Sequence, residues 1–260
     1  MKRFFYKTNL ALWTALLCAL LCASCGDGAF TDGTEEISLA WSVYAGEDAE
    51  GNWATFAFVE SVNDEEQSED TVYFFPDNAL CYSGTYTCKQ TAGTGAFGGA
   101  LSGNIAAITP AGRNPPAQGA PPGAFTLSAD EKTITFTNYR GQQVVRSFKR
   151  VRRKNAVDEL APFTYGALPE NLDGTVWAAT AFRTKDWTTL TIKAGAAAGG
   201  GTIQVSHSFD CTSFPRAYSG YAYNTEIELD YIGPFIIKDD IFTFQDFYGH
   251  GGKIPLFRMR

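Results

Sequence analysis

The chain has 260 residues, a net charge of −7 with neutral His, and a sequence pI of about 4.9. An acidic chain without a basic stripe argues against a nucleic-acid partner and against electrostatic binding to anionic lipid. We interpret the only basic cluster, KRVRRK from Lys149 to Lys154, as a strand end followed by a solvated linker. Aromatic residues make up 14% of the chain, and short β-branched and aromatic runs dominate, which is typical of an all-β protein.

The first 24 residues have the pattern of an export signal. Lys2, Arg3 and Lys7 precede an apolar run, Leu10 to Leu21, that is too short to span a membrane as a helix. The run ends in CASC, which resembles the lipobox of bacterial lipoproteins, where small residues precede a cysteine that becomes acylated. This resemblance implies a lipid on Cys25 that anchors the chain in a membrane of the cell envelope, facing the periplasm or the exterior. The alternative is ordinary cleavage that releases a soluble exported protein. Loss of the signal leaves 18 basic and 28 acidic residues, a net charge of about −10.

Two similar copies of one pattern follow, which indicates an internal duplication. The tripeptide Tyr-Ser-Gly begins at Tyr82 and again at Tyr218, each time inside an aromatic, strand-like stretch. Glycine inside a strand is costly unless the chain bends or another element comes close. The duplication therefore predicts Gly84 and Gly220 at equivalent bends, with the two tyrosines pointing the same way.

Other matches occur in the same order along both copies. The offset of the tripeptides also places Trp41 on Trp177, while Trp53 matches Trp187 with a slip of two residues. Near the end of each copy, five further pairs match: Phe125 with Phe235, Phe136 with Phe244, Tyr139 with Phe247, Gly141 with Gly249, and Phe148 with Phe257.

The matches divide the mature chain into a first repeat at residues 25–151, a linker at 152–171 and a second repeat at 172–260. In the second repeat, strands are predicted at residues 176–182, 188–193, 202–209, 217–223, 226–231, 235–238, 241–245 and 254–259. Eight short antiparallel strands can close into a barrel, which removes exposed edges. We expect two tandem barrels, and one larger sandwich or barrel shared by both copies is the alternative.

The first copy carries an additional stretch from Gln90 to Pro122, rich in Gly, Ala and Pro. Loops of this length are usually functional or disordered, and the composition favours disorder. GNIAAIT, which begins at Gly103, is the one run in it with the character of a strand.

The opening of the second repeat, LDGTVW from Leu172, resembles the Gly-x-Trp opening of lipocalin-like domains, with Gly174 and Trp177 one residue further apart. YSGYAY and the terminal FTFQDFYG…FRMR resemble later strands of lipocalin-like domains in bacterial lipoproteins. The resemblance covers most of the second repeat and, more loosely, the first. It implies two antiparallel lipocalin-like barrels of about eight strands each. It implies no single activity, although proposed ligands in this family are small and apolar.

The cysteines allow two geometries in the first repeat. A tight turn at Ser83–Thr85 would let Cys81 and Cys88 bridge across a hairpin, whereas a continuous strand holds them about 23 Å apart. The second repeat has no cysteine in the matching segment, so we favour the continuous strand and expect both thiols to be unbridged.

Motifs for catalysis, metal binding or cofactor binding are not found. His207, Asp210 and Cys211 match no zinc spacing, and a strand would point His207 and Asp210 to opposite faces. The other histidine, His250, lies in a glycine-rich turn. The chain has no nucleophile elbow, phosphate loop or dinucleotide fingerprint, so we expect no cofactor and no catalytic activity.

Four aromatic residues are the candidates for ligand binding: Trp41, Tyr82, Trp177 and Tyr218. They line an apolar cavity if a barrel is hollow, and they fill the core if it is packed, as small barrels usually are. Three functional hypotheses remain: a non-catalytic lipoprotein that binds a small apolar ligand, a surface module that binds protein or glycan through its loops, and a hydrolase, which has the least support.

Overall fold

The computed structural model describes residues 35–48, 50–62, 68–77, 80–91, 99–112, 116–152, 172–180, 187–194, 200–207, 212–219, 226–229, 233–238, 241–244 and 254–260. These residues form an all-β protein, as the composition predicts, with 19 strands, one short 3₁₀ turn and no α-helix. The export signal, Cys25 and linker residues 153–171 lie outside the described residues, as do several residues named in the predictions: Asp210, Cys211, Gly220, Phe247, Gly249 and His250.

The first repeat forms one strongly curled sheet of eleven strands, in the order β1-β6-β7-β9-β10-β11-β2-β3-β4-β5-β8. A 3₁₀ turn at Tyr139–Gly141 joins β10 to β11. The strands are β1 (Glu35–Glu36), β2 (Val43–Glu47), β3 (Trp53–Val62), β4 (Ser68–Phe75), β5 (Tyr82–Thr85), β6 (Thr87–Gln90), β7 (Leu101–Ile105), β8 (Thr109–Pro110), β9 (Gly123–Leu127), β10 (Thr133–Phe136) and β11 (Arg146–Arg152).

The second repeat forms a closed barrel of eight antiparallel strands, because its first strand pairs with both the second strand and the last. All eight predicted strands are present, although the fourth begins five residues earlier than expected. They are β12 (Val176–Thr180), β13 (Trp187–Ala194), β14 (Gly200–His207), β15 (Thr212–Ser219), β16 (Glu226–Leu229), β17 (Gly233–Lys238), β18 (Ile241–Phe244) and β19 (Ile254–Arg258).

The two repeats share one strand order. In the first repeat, β5 and β6 are separated only by Tyr86, whose backbone N–H still donates to the carbonyl of Asp70 in β4 (3.1 Å). Taken together, β5 and β6 pair with β4 on one side and with β8 and β7 on the other. This bent strand corresponds to β15, and the seven remaining strands correspond in order: β2 to β12, β3 to β13, β4 to β14, β7 to β16, β9 to β17, β10 to β18 and β11 to β19.

The ladder registers confirm the match of Trp53 with Trp187. Trp53 lies opposite Glu47, the last residue of β2, and Trp187 lies opposite Thr180, the last residue of β12. The matches of Phe125 with Phe235 and of Phe136 with Phe244 are also confirmed, because each pair forms the same rung between corresponding strands. The match of Phe148 with Phe257 is wrong by one residue, because the ladders place Leu256 at the position of Phe148.

The match of Trp41 with Trp177 is wrong by three residues. We align β2 with β12 through the residues that lie opposite the two matched tryptophans, Glu47 and Thr180. Counted back from these residues, Tyr44 corresponds to Trp177, and Trp41 corresponds to Gly174. Backbone conformation agrees, because Trp41 has φ 70° and Gly174 has φ 73°. The glycine of LDGTVW therefore has a structural counterpart in the first repeat, but a tryptophan occupies it.

The two Tyr-Ser-Gly tripeptides are also out of register. Tyr82 lies opposite Phe74 in β4, and the residue of β14 that corresponds to Phe74 is Val205, which lies opposite Phe214. Tyr82 therefore corresponds to Phe214, and Tyr218 lies four residues further along its strand. The prediction that the tripeptides superpose is wrong, and the duplication rests on the strand order and the other matches.

Gly84 is required by a close approach of the chain. A Cβ atom at this position would collide with the carbonyl oxygen of Ala107, in the segment between β7 and β8. This segment belongs to the Gly/Ala/Pro-rich stretch, so the prediction of disorder is wrong for residues 99–112 and 116–122, which include two strands and cover the sheet. The expected strand character of GNIAAIT is confirmed for its first three residues, which end β7, and for its last, Thr109, which begins β8.

A shared apolar cluster joins the two repeats. Strands β2, β3 and β11 bury their outer faces against those of β12 and β13 and against the end of the chain after β19. We call this the inter-repeat cluster; it comprises Val43, Ala45, Trp53, Ala57 and Val151 from the first repeat, and Val176, Ala178, Trp187 and Met259 from the second. At its margin, Arg260 forms an ion pair with Glu47 (3.2 Å) and donates to the carbonyl of Gly51 (2.8 Å).

The inter-repeat cluster is built from matched positions. Val43 corresponds to Val176, Ala45 to Ala178 and Trp53 to Trp187, while RVR at residues 150–152 corresponds to RMR at residues 258–260. An interface in which both sides contribute the same patch is isologous, the kind found in twofold dimers. The interpretation of KRVRRK as a strand end is confirmed by β11, but Arg152, assigned to the solvated linker, still belongs to that strand and is buried.

Candidate functional site: the interior of the two repeats

The interior of the first repeat is filled by aromatic rings. Strand β3 alternates, so that Ala54, Phe56 and Phe58 point inward while Trp53 and Ala57 point to the inter-repeat cluster. The ring of Phe56 stacks on that of Phe74 with centroids 4.7 Å apart. Phe56 also contacts two further rings at 5.1 and 4.9 Å, those of Phe136 and Phe148.

The chain entering β2 covers one end of this interior. Leu39 is buried in the core, and its backbone N–H donates to the hydroxyl of Tyr86 (2.8 Å). That hydroxyl donates to the Asp70 carboxylate (3.0 Å), which also accepts from Ser38 (2.8 Å). Burial raises the pKa of the Tyr86 phenol above its ordinary value. This end is therefore held shut by a local hydrogen-bond network.

A buried arginine lies at the same end. The Tyr44 hydroxyl donates to the backbone carbonyl of Glu131 (2.9 Å), and the guanidinium of Arg150 reaches the Glu131 carboxylate (3.4 Å). Burial raises the pKa of Tyr44, and Arg150 opposes that change. The phenol is therefore neutral at physiological pH, and its hydrogen bond positions the β9–β10 turn over this end of the interior.

The opposite end is covered by the Gly/Ala/Pro-rich stretch and by the connection after β10. Tyr82 is buried, and its hydroxyl donates to the carbonyl of Ala117 (3.0 Å). A Cβ atom on Gly119 would lie 2.9 Å from the Tyr82 ring, so glycine lets the loop pack directly onto it. Tyr139 is buried among the core rings, at 5.4 Å from Phe148.

Three of the four predicted ligand-binding aromatics have described side chains, and these three lie in different surroundings. Tyr82 is part of the filled core of the first repeat, and Trp41 is half-buried where the chain enters that repeat. Trp177 is fully buried in the second repeat, where its indole N–H donates to Thr175 (3.0 Å) and its ring packs 5.8 Å from Phe242. For Tyr218 the structure describes only the backbone, in β15.

The second repeat has fewer aromatic side chains at matched inward positions. Counted by ladder register among the described side chains, four phenylalanines of the first repeat are replaced by smaller aliphatic residues. Three inward residues are replaced by larger ones: Ala54 by Thr188, Val72 by Ile203 and Ile134 by Phe242. The four pairs are Phe56 with Leu190, Phe58 with Ile192, Phe74 with Val205, and Phe148 with Leu256. Tyr44 corresponds to Trp177, so a large aromatic ring occupies this position in both repeats. In NWATFAFVE, Phe56 and Phe58 are two residues apart and therefore lie on the same face of a strand. This spacing could have identified both as interior residues, but they belong to no repeated motif.

The cysteines differ from each other. Cys88 is a free, buried thiol in the core of the first repeat, and burial raises its pKa to about 11. Cys81 is disulfide-bonded and lies on the outer face with Phe75, Tyr73 and Ala111. The continuous run of chain from Cys81 to Cys88, without a hairpin, is confirmed, but the prediction that Cys81 is unbridged is wrong.

Known proteins give no assignment for this arrangement. No family model matches the chain, and neither the curated proteins nor the solved structures contain a match. Within the described ranges, no three His, Cys, Asp or Glu side chains come together as a metal site would require. The part of the chain that the structure describes has no helix with the length and apolar character needed to cross a membrane.

Proposed function

We propose that this chain is an exported, lipid-anchored protein of the bacterial cell envelope that binds a small apolar ligand in its second repeat without catalysing a reaction. Each repeat would be a lipocalin-like barrel of about eight strands. The first would be a filled structural barrel, and acylated Cys25 would attach the chain to the membrane, facing the periplasm or the exterior.

The observation that carries the proposal is the contrast between matched interior positions. The rings around Phe56 occupy the centre of the first repeat, and both of its ends are covered. At the matched positions the second repeat carries Leu190, Ile192 and Val205, which are smaller and apolar. An apolar lining with few polar groups is the kind of surface that takes a small hydrophobic ligand.

Exchanging matched residues tests the location of the ligand. We would titrate the purified full-length protein with a fluorescent naphthylamine probe, whose emission rises in an apolar pocket. Leu190→Phe gives the second repeat the ring that fills the first, and we expect it to weaken probe binding at least tenfold. The matched control, Phe56→Leu, removes a ring from the first repeat and should leave the original binding site unchanged.

Thermal unfolding of each variant would separate loss of binding from loss of fold. A folded Leu190→Phe protein that binds the probe as well as the wild type contradicts the proposal. A second filling variant, Ile192→Phe, gives the same test if Leu190→Phe does not fold. Native mass spectrometry of protein released from its own cells would then give the mass of the natural ligand.

The surface-binding alternative makes a different prediction. If loops bind protein or glycan, deletion of the Gly/Ala/Pro-rich stretch should abolish partner capture while probe binding persists. Ala117 and Gly119 of that stretch pack on Tyr82, which favours a structural role for this part of it. A hydrolase remains the least supported candidate, because no motif in the sequence indicates one.

A further inference from the structure

We infer that the disulfide of Cys81 joins the two repeats, with Cys211 as its partner. Cys81 is disulfide-bonded, and Cys88, the other cysteine among the described residues, is a free thiol. A bridge between Cys81 and Cys88 within the first repeat is therefore excluded.

Counting the cysteines identifies the partner. The chain has six cysteines, of which Cys18 and Cys22 fall within the predicted export signal. If Cys25 carries a lipid thioether, its sulfur cannot form a disulfide. Cys211 is then the only thiol left for Cys81. Cys211 lies outside the described residues, so the inference rests on this count and on the position of Cys81.

Cys81 lies beside the contact between the repeats. Tyr73 packs against both the inter-repeat cluster and the cluster that contains Cys81 and Phe75. Cys81 immediately precedes β5, and Cys211 immediately precedes β15, the corresponding strand of the second repeat. In an isologous interface, corresponding segments of the two sides are related by a common axis, and the two cysteines precede the same strand of their repeats in the sequence.

The bond would form during export. Each thiol loses one hydrogen, and the two electrons and two protons pass to the disulfide of a thiol–disulfide oxidoreductase, which becomes a dithiol. Such oxidants act in exported compartments, where structural disulfides persist. Cys88 would be spared, because it is buried in the core of the first repeat.

Cleavage of the linker gives a direct test. We would insert a protease recognition sequence into residues 153–171 of the full-length exported protein, cut it, and run denaturing gels with and without reductant. We expect one band without reductant and two bands with it, and a sequenced peptide pair that joins Cys81 to Cys211. Two bands without reductant, or a peptide pair that joins Cys81 to Cys25, would overturn the inference.

Two serine variants complete the test. Cys211→Ser should give two bands without reductant, whereas the matched control Cys88→Ser should still give one. One unreduced band from Cys211→Ser would contradict the inference. If Cys211→Ser does not accumulate as folded protein, the peptide map of the wild type still decides between Cys211 and Cys25.

Discussion

Removal of either matched tryptophan from the inter-repeat cluster should destabilise both repeats together. Trp53 is 4% exposed and Trp187 is 2% exposed, so Trp53→Ala and Trp187→Ala each lose a fully packed indole. A buried tryptophan covers roughly 200 Å², which at about 25 cal/mol per Å² corresponds to about 5 kcal/mol. Compaction of the unfolded chain reduces this to about 3–5 kcal/mol, the range usual for Trp→Ala in a core.

Urea unfolding followed by far-ultraviolet circular dichroism would measure the effect without depending on tryptophan fluorescence. The wild type should unfold in one transition, and both variants should shift that whole transition by similar amounts, because each indole packs against residues of both repeats. The ion pair between Arg260 and Glu47 adds little to this coupling, since exposed pairs contribute at most about 1 kcal/mol. Val145→Ala, at a side chain that is 58% exposed, should change stability by less than about 0.5 kcal/mol.

Two separate wild-type transitions, with Trp53→Ala shifting only one of them, would refute this reasoning. The repeats would then be independent domains in contact, and the shared cluster would contribute little to stability.

Three other predictions concern particular positions. Thr55→Val and Thr189→Val should each stabilise the protein by about 1 kcal/mol in urea unfolding, because neither buried hydroxyl has a hydrogen-bond partner among the described residues; a loss of stability would show that the hydroxyls are satisfied. Gly174→Ala should cost about 1 kcal/mol in the same assay, because φ is 73° there; an unchanged midpoint would contradict the strain argument. Stability should also fall at alkaline pH. Tyr44, Tyr86 and Tyr139 have raised pKa values in the fold, so above about pH 10 the unfolded chain releases protons that the folded chain keeps, and each phenol costs about 1.4 kcal/mol per pH unit. Cys88, with its pKa raised to about 11, begins this loss near pH 9. Urea midpoints from pH 8 to 11 would show the fall, Cys88→Ser should remove its first part, and a flat profile would contradict the burial of these groups.

The strands could be predicted from the sequence because each is a short apolar or alternating run bounded by turn residues. The largest error in the second repeat was the start of β15. Pro215 lies within that strand, and proline has no N–H for a ladder, so the local signal pointed to a later start. The all-β class and the strand order depend on many such runs together, which is why one displaced boundary did not alter them.

Register could not be predicted in the same way. Identical tripeptides such as Tyr-Ser-Gly suggest an alignment of the two repeats. The turns between strands differ in length, however, and each insertion changes which residues of neighbouring strands lie opposite each other. Only the residue pairs of neighbouring strands show that Tyr44 corresponds to Trp177 and that Trp41 corresponds to Gly174. The bond of Cys81 was missed for a related reason: a disulfide to a distant part of the chain leaves no signal in the sequence around either cysteine.

The positions that the two copies share most closely lie where the copies touch. Val43 and Val176, Ala45 and Ala178, and Trp53 and Trp187 are identical pairs in the inter-repeat cluster. Of the matched interior positions, four have changed from phenylalanine to smaller residues, while Phe125 with Phe235 and Phe136 with Phe244 are unchanged. The difference has a physical reason. An interior side chain packs only against its own repeat, so the interior of each repeat can repack alone when one of its residues changes. A side chain in an isologous contact packs against the other copy of the same patch, so a change on either side disturbs both repeats. The contact is therefore more constrained than the interior, so four interior phenylalanines could be exchanged for smaller residues without separating the two repeats.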